Sequence, residues 1–224
     1  MSSQSGVLYA PSALRTPSEE FVGALSHGIG LVLSIAAGVT LVTTAMAGGD
    51  LTCTVGCCFY ATTLVALYAA STLSHLYLPD SLNRLFRSLD QGCIYLLIVG
   101  SFTPFALTFL RTPFWLSFYA LVLAVAVGGF LSKTAFAHRL DGSSIWLYVA
   151  LSWGEGLAIQ PLLSAIPSAG LFWIVAGGLC YMLGTIFLIL DLRRYYFHAI
   201  WHLLVMAGSA CHYVAILRFV AAGR

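Results

Sequence analysis

Charge is what this chain has least of. Ten basic and eight acidic residues, 8% in all, are spread over 224 positions, where a soluble globular chain carries roughly 25%. With 60% of the residues hydrophobic, this excludes an ordinary soluble domain and points to an integral membrane protein. A net charge of +2 is too small for the basic footprint of a nucleic-acid binder, so no nucleic-acid partner is expected. No basic stretch followed by a short apolar core opens the chain, so no cleaved signal peptide is expected. Residues 1–18 read as a polar tail and 19–224 as one transmembrane domain. The six cysteines, at 53, 57, 58, 93, 180 and 211, form no CxxC pair, which argues against a thiolate zinc cluster and a disulfide framework. Most lie in apolar runs, where Cys behaves as a small buried hydrophobe.

What the chain does have is long apolar runs. About 20 such residues cross the hydrocarbon as a helix, and no other open structure satisfies its backbone there. Seven fit that length, at about 22–46, 52–77, 89–110, 113–132, 144–163, 169–190 and 196–219. The expected fold is therefore all-α, a seven-helix transmembrane bundle. The connections are short and hold breakers such as Gly48-Gly49-Asp50, Pro79-Asp80, Pro113, Asp141-Gly142 and Pro167. Gly128-Gly129, Gly154-x-Gly156 and Gly177-Gly178 read as places where helices approach closely. With the N-terminus inside, Arg15, Arg84, Arg87, Lys133, Arg139, Arg193 and Arg194 are cytoplasmic, against Arg111, Arg218 and Arg224 outside. That bias orients the bundle with a cytoplasmic N-terminus and an outer C-terminus, in a plasma membrane.

Orientation then sorts the histidines. His75 closes the second span, Asp90 opens the third in its first turn, and His198 and His202 lie in the first two turns of the seventh. All four fall at the cytoplasmic side, with Glu19, Glu20 and His27 at the start of the first span. His198 and His202, at i and i+4, share one helix face and can reach one metal, with His75 as a third nitrogen. Three histidines leave a fourth tetrahedral position open, the arrangement of a catalytic zinc site, and zinc suits hydrolysis of an amide or ester. Asp90 is the candidate base for the water, and Ser71, one turn before His75, could bond the water, the substrate or Asp90. The competing readings are bland: interfacial histidines, a carboxylate drawn to a helix N-terminus at Asp90, and a back-bonded helix serine at Ser71. His212 lies ten residues past His202, about 15 Å deeper, and reads as a packing residue; His138 reads as a solvated loop residue. Glu155, mid-span in WLYVALSWGEGLAIQ, is either a substrate-path carboxylate or a neutral acid bonded to a neighbouring helix.

Four stretches, EEFVGALSHGIG at 19–30, STLSH at 71–75, LDQGCIYLLIVGSFTPF at 89–105 and FHAIWHLLVMAGSACHYVAI at 197–216, resemble the hemolysin III proteins, the bacterial branch of the progestin and adiponectin receptor family. The resemblance runs from about Glu19 to Phe219. It implies zinc held by His75, His198 and His202, an associated Ser71 and Asp90, and a first-helix pair, Glu20 and His27, without an assigned role. Two positions depart from its pattern: Gly23 replaces a usual Asn, and Gln91 a frequent His, both changes beside the ligands rather than of them. Relatives include receptors, and the wider superfamily includes alkaline ceramidases. Three functions follow as expectations. The first is a zinc-dependent hydrolase of a membrane lipid or fatty-acyl substrate, acting in lipid homeostasis. The others are a non-enzymatic sensor with structural zinc and a membrane-permeabilising hemolysin; the lack of pore-lining charge periodicity argues against a dedicated toxin.

Overall fold

Helix α1, Pro17–Ala47, begins where the sequence supplies a full start signal. Thr16 accepts from Glu19 N, the Glu19 carboxylate accepts from Thr16 N at 2.9 Å, and Pro17 occupies the first turn. The helix stops at Gly48 and Gly49, the latter at φ 75°, a conformation that favours glycine. Asp50 then caps α2, Leu51–Ser74, accepting from Thr52 N and Cys53 N. In the computed structural model, which describes residues 16–135, 145–191 and 196–223, six further helices follow. They are α3 Asp80–Phe109, α4 Pro113–Thr134, α5 Ile145–Gly156, α6 Ile159–Ala165, α7 Ser168–Leu190 and α8 Phe197–Ile216, the last running on as a π-helical turn, Leu217–Ala221. There is no strand among the described residues. His138, Arg15, Arg139, Arg193, Arg194, Arg224, the Asp141-Gly142 breaker and most of the 1–18 tail lie outside them.

The bundle has the inverted pattern of a membrane protein. On α1 the buried positions are Glu20, Gly23, His27, Gly30, Ser34, Gly38, Leu41 and Ala45, spaced three and four apart and mostly small or polar. Its large apolar side chains, Phe21, Leu25, Ile29, Val32 and Leu33 among them, are exposed. That is the arrangement expected where lipid, not water, is the solvent: small residues let helices approach, and polar ones turn inward. Helices α2 and α3 form the centre, flanked by α1 and α4, and α8 returns to α1 to close the bundle beside α7. All six cysteines are free, three buried and three partly so.

Three expectations change in detail. Among the described residues six helices are long and apolar enough to cross a membrane, while the segment expected as the fifth span is broken in two. Leu157 N bonds Gly154 O at 3.1 Å and Ala158 N bonds Glu155 O at 3.0 Å, tight turns that end α5. Pro161 then lacks the N–H that would bridge the break. The twelve described residues of α5 span about 18 Å. The third helix starts at Asp80, not near 89, because Pro79 is the breaker and the amphipathic stretch after it stays helical. Asp90 therefore lies ten residues inside α3, beyond reach of the helix-terminal dipole, and not in its first turn. Of the paired glycines, Gly129 lies against the Tyr95 ring and Gly177 against the His212 ring, where an added Cβ would stand 2.6 and 2.3 Å away. Gly128, Gly154, Gly156 and Gly178 face open space and have no such packing role.

Candidate metal centre

Three imidazoles meet where the end of α2 faces the start of α8. His75 is the residue on which α2 ends, and His198 and His202 follow one another up the first turns of α8. The rings are 4.5 Å (His198–His202), 5.0 Å (His75–His202) and 5.3 Å (His75–His198) apart, centroid to centroid. One ligand nitrogen from each lies within 4.8 Å of the other two, and all three side chains are buried.

Each ring is held by its other nitrogen. His75 Nδ1 is 2.6 Å from Glu20 Oε2 on α1. His198 Nδ1 is 3.1 Å from Asp191 Oδ2, just past α7. His202 Nδ1 is 3.1 Å from Ser26 Oγ, whose own proton goes to Gly23 O at 3.0 Å. A carboxylate only accepts, and Ser26 has already spent its single donor, so Nδ1–H is the donor in all three contacts. Nε2 is then the nitrogen that each ring can offer to a metal. His75 Nε2 is buried and makes no hydrogen bond. Three imidazoles, each oriented by an outer acceptor, are the donor set that a divalent metal such as zinc takes, so these residues fit the ion that the sequence implied.

The outer contacts extend into the bundle. Glu20 Oε1 accepts from Arg87 Nη2 at 3.2 Å, and Arg87 Nε donates to Asn83 Oδ1 at 2.6 Å, so α3 braces the carboxylate that braces His75. Tyr196, at φ 66°, enters α8 in a left-handed conformation unfavourable for a large side chain; its N–H donates to Glu19 Oε1 at 3.3 Å. This contact ties the start of α8 to α1. Gly23 has the Cβ position 2.8 Å from His75 Nδ1, so its lack of a side chain makes room for the ligand ring.

The remaining predicted residues divide. Asp90 and Ser71 both lie near, but they do not meet: the hydroxyl that reaches Asp90 Oδ2, at 3.3 Å, is that of Ser74. Ser71 Oγ instead pairs with His27 Nδ1 at 2.7 Å. Helical pitch explains the exchange, since Ser74 faces α3 while Ser71, nearly a turn earlier, faces α1. His27 belongs to the centre, its ring stacked 3.7 Å from that of His202. Gln91 is half-buried, and its backbone carbonyl accepts from Tyr148 OH of α5. Glu155 is apart from this group, on the last turn of α5 within electrostatic reach of Tyr119. His212 is a packing residue, Nδ1 bonded to Gly208 O and ring stacked on Tyr181. Asp191, Ser26, Ser74 and Arg87 were not anticipated as site residues. Only Asp191 left a trace in the sequence, as an acid shortly before FHAIWH, and nothing in helical periodicity links it to His198. Asp191→Ala is expected to weaken metal binding about 10- to 100-fold with the fold retained, measurable by competition with a chromogenic chelator.

Long apolar helices around a buried three-histidine group define an integral membrane helical bundle with a candidate metal centre. A family profile described as Haemolysin-III related matches residues 15–213. The chain is 36% identical over 202 residues to Hemolysin-3 of Bacillus cereus, covering 90% of this chain and 92% of that one. It is 33% identical over 202 residues to the Hemolysin-3 homolog of Bacillus subtilis (strain 168), covering 90% and 94%. A more distant relative is the human monocyte to macrophage differentiation factor, 25% identical over 166 residues, covering 72% and 68%. The chain belongs to the haemolysin III-related family, with the progestin and adiponectin receptor branch as distant kin. It is a multi-pass membrane protein, and the bacterial plasma membrane fits both the family and its apolar helices.

Proposed function

We propose that His75, His198 and His202 hold zinc at the cytoplasmic side of the membrane and that the protein is a hydrolase of lipid amides or esters serving membrane-lipid homeostasis. The observation that carries this reading is the set of three Nδ1 anchors, which leave the other nitrogen of each ring to hold a metal. Zinc held by these residues would supply Lewis acidity toward an acyl carbonyl and water. The chain's own groups do the rest. Asp90, with Oδ2 held by Ser74, takes a proton from the attacking water and returns it to the departing amine or alkoxide. The acyl C–N or C–O bond breaks, and the acyl group keeps the water's oxygen as a fatty acid. The apolar exterior suits a substrate that arrives through the bilayer rather than from water.

Purified protein is expected to release fatty acid from a ceramide-type amide or an acyl ester. Asp90→Ala should lower kcat by about 100-fold or more with metal retained, as loss of a general base does. Turnover that survives both chelation and Asp90→Ala would sink this mechanism.

A second reading has its own support. Ligands and anchors come from the ends of α1, α2, α7 and α8, so a metal would also tie four helices together. A non-enzymatic sensor with structural zinc would show a large fall in thermal stability on chelation and no turnover with either lipid class.

A further inference from the structure

His27 is the fourth histidine of this centre, and the mechanism above leaves it unused. It is 3% exposed. Its ring stacks on ligand His202 at 3.7 Å with 15° between planes, and stands edge-on to Tyr68 at 5.1 Å. Nδ1 is held by Ser71 Oγ at 2.7 Å, while Nε2 is buried and has no hydrogen-bond partner. Ser71 also differs from its neighbours. The hydroxyls of Ser26 and Thr72 donate to carbonyls three or four residues back, as helical Ser and Thr commonly do. Among the described residues the Ser71 hydroxyl bonds only His27, so its proton is available to Nδ1. An imidazole that accepts at Nδ1 carries its proton at Nε2. The three metal-facing rings have the opposite tautomer, Nδ1–H, set by their acceptors. One histidine of the four is thus set up as a donor where the others are set up as ligands.

We infer that His27 is the hydrogen-bond donor of this site for the acyl oxygen of the substrate, and that Ser71 is a positioning residue that acts through it. A buried N–H without an acceptor is costly, and the chemistry that relieves it is an oxygen bearing negative charge. A carbonyl on the way to an oxyanion, or the carboxylate of a fatty acid product, supplies one. The role given to Ser71 follows from its burial: 1% exposed and turned to His27, it has no second contact to offer a ligand. This inference rests on the acyl-hydrolase reading for its substrate class, though not for the donor itself.

The test uses full-length purified protein in detergent, with palmitate binding, zinc content, and kcat and KM as separate readouts. His27→Ala should weaken palmitate binding about tenfold or more and lower kcat more than it raises KM, with zinc content unchanged. His27→Gln should recover part of the loss, because its amide N–H still donates. Ser71→Ala should lose several-fold, and Ser71→Ala combined with His27→Gln should be no worse than His27→Gln alone. If His27→Ala does not fold, His27→Gln with Ser71→Ala completes the same cycle. Losses that multiply in the double variant would overturn the inference by showing that Ser71 acts independently. So would unchanged palmitate binding in zinc-loaded His27→Gln and His27→Ala, or loss of zinc from both. Wild-type protein that binds palmitate through His27 yet turns over no lipid would support the donor while sinking the hydrolase.

Discussion

Purified protein is expected to carry about one zinc per chain, and His75→Ala, His198→Ala and His202→Ala are each expected to lose it. The magnitude follows from how a zinc site is shared among its ligands. Structural sites bind with about 10–16 kcal/mol, so one of four ligands accounts for about 3 kcal/mol, more than a hundredfold in affinity. Loss should be at the large end of that range here, because the remaining rings are fixed. His198 is tied to Asp191 and His202 to Ser26, so neither swings across to fill the vacated position. His212→Ala is the control: its ring is bonded to Gly208 and stacked on Tyr181, and zinc should stay. Elemental analysis of the four variants beside wild type is the measurement. Zinc retained by any of the three ligand variants at wild-type level would exclude the assigned site.

The second large effect is expected from a residue with no functional group. Gly23→Ala places a methyl 2.8 Å from His75 Nδ1 and 2.9 Å from Cγ and Cε1, so the ring must move. A flexible side chain often gives way cheaply, but this one is pinned. Its Nδ1 is bonded to Glu20 at 2.6 Å, and that carboxylate is braced by Arg87, so displacement strains the anchor and misplaces the ligand together. Zinc affinity should fall about 10- to 100-fold, the loss seen when ligand-orienting contacts are removed. The protein should stay folded, since Gly→Ala within a helix is otherwise favourable by up to about 1 kcal/mol. Chelator competition with a parallel thermal melt separates the two effects. Unchanged affinity would mean that the ring is not held as tightly as its bonds imply. His75 is thus seated here by the absence of a side chain at position 23.

Much of the site was legible because it depends on short-range geometry. His198 and His202 are one turn apart on any helix, and counting spans brings His75 to the same end of the bundle. Ser71 shows where such counting stops. Its place before His75 was visible, but three steps of about 100° leave Ser71 and Ser74 only about 60° apart, and only the packed neighbours decide which serine meets Asp90. Asp191 and Ser26 were hidden for a related reason. A partner chosen by the packing of α7 against α8, or of α1 against α8, leaves no periodic signal. The fifth span was read as continuous because hydropathy sums over a window and does not register the turn at Gly154–Ala158 or the donor that Pro161 lacks.

The sequence by itself determined the membrane class, the all-helical fold and the three candidate ligands, because each follows from composition or from spacing along one chain, and it carried the family through the resemblance of its motifs. Tertiary structure alone decided which nitrogen of each histidine is offered to a metal, since a tautomer is set by whatever accepts the other proton, and those acceptors come from different helices. It also decided that His27 and Ser71 form a pair, and that scarce charge is concentrated at the same place: Glu20, Arg87, Asp90 and Asp191 gather around the histidines. In an apolar solvent, polar groups are tolerated where they satisfy one another, which is why so few charges come to lie so close together.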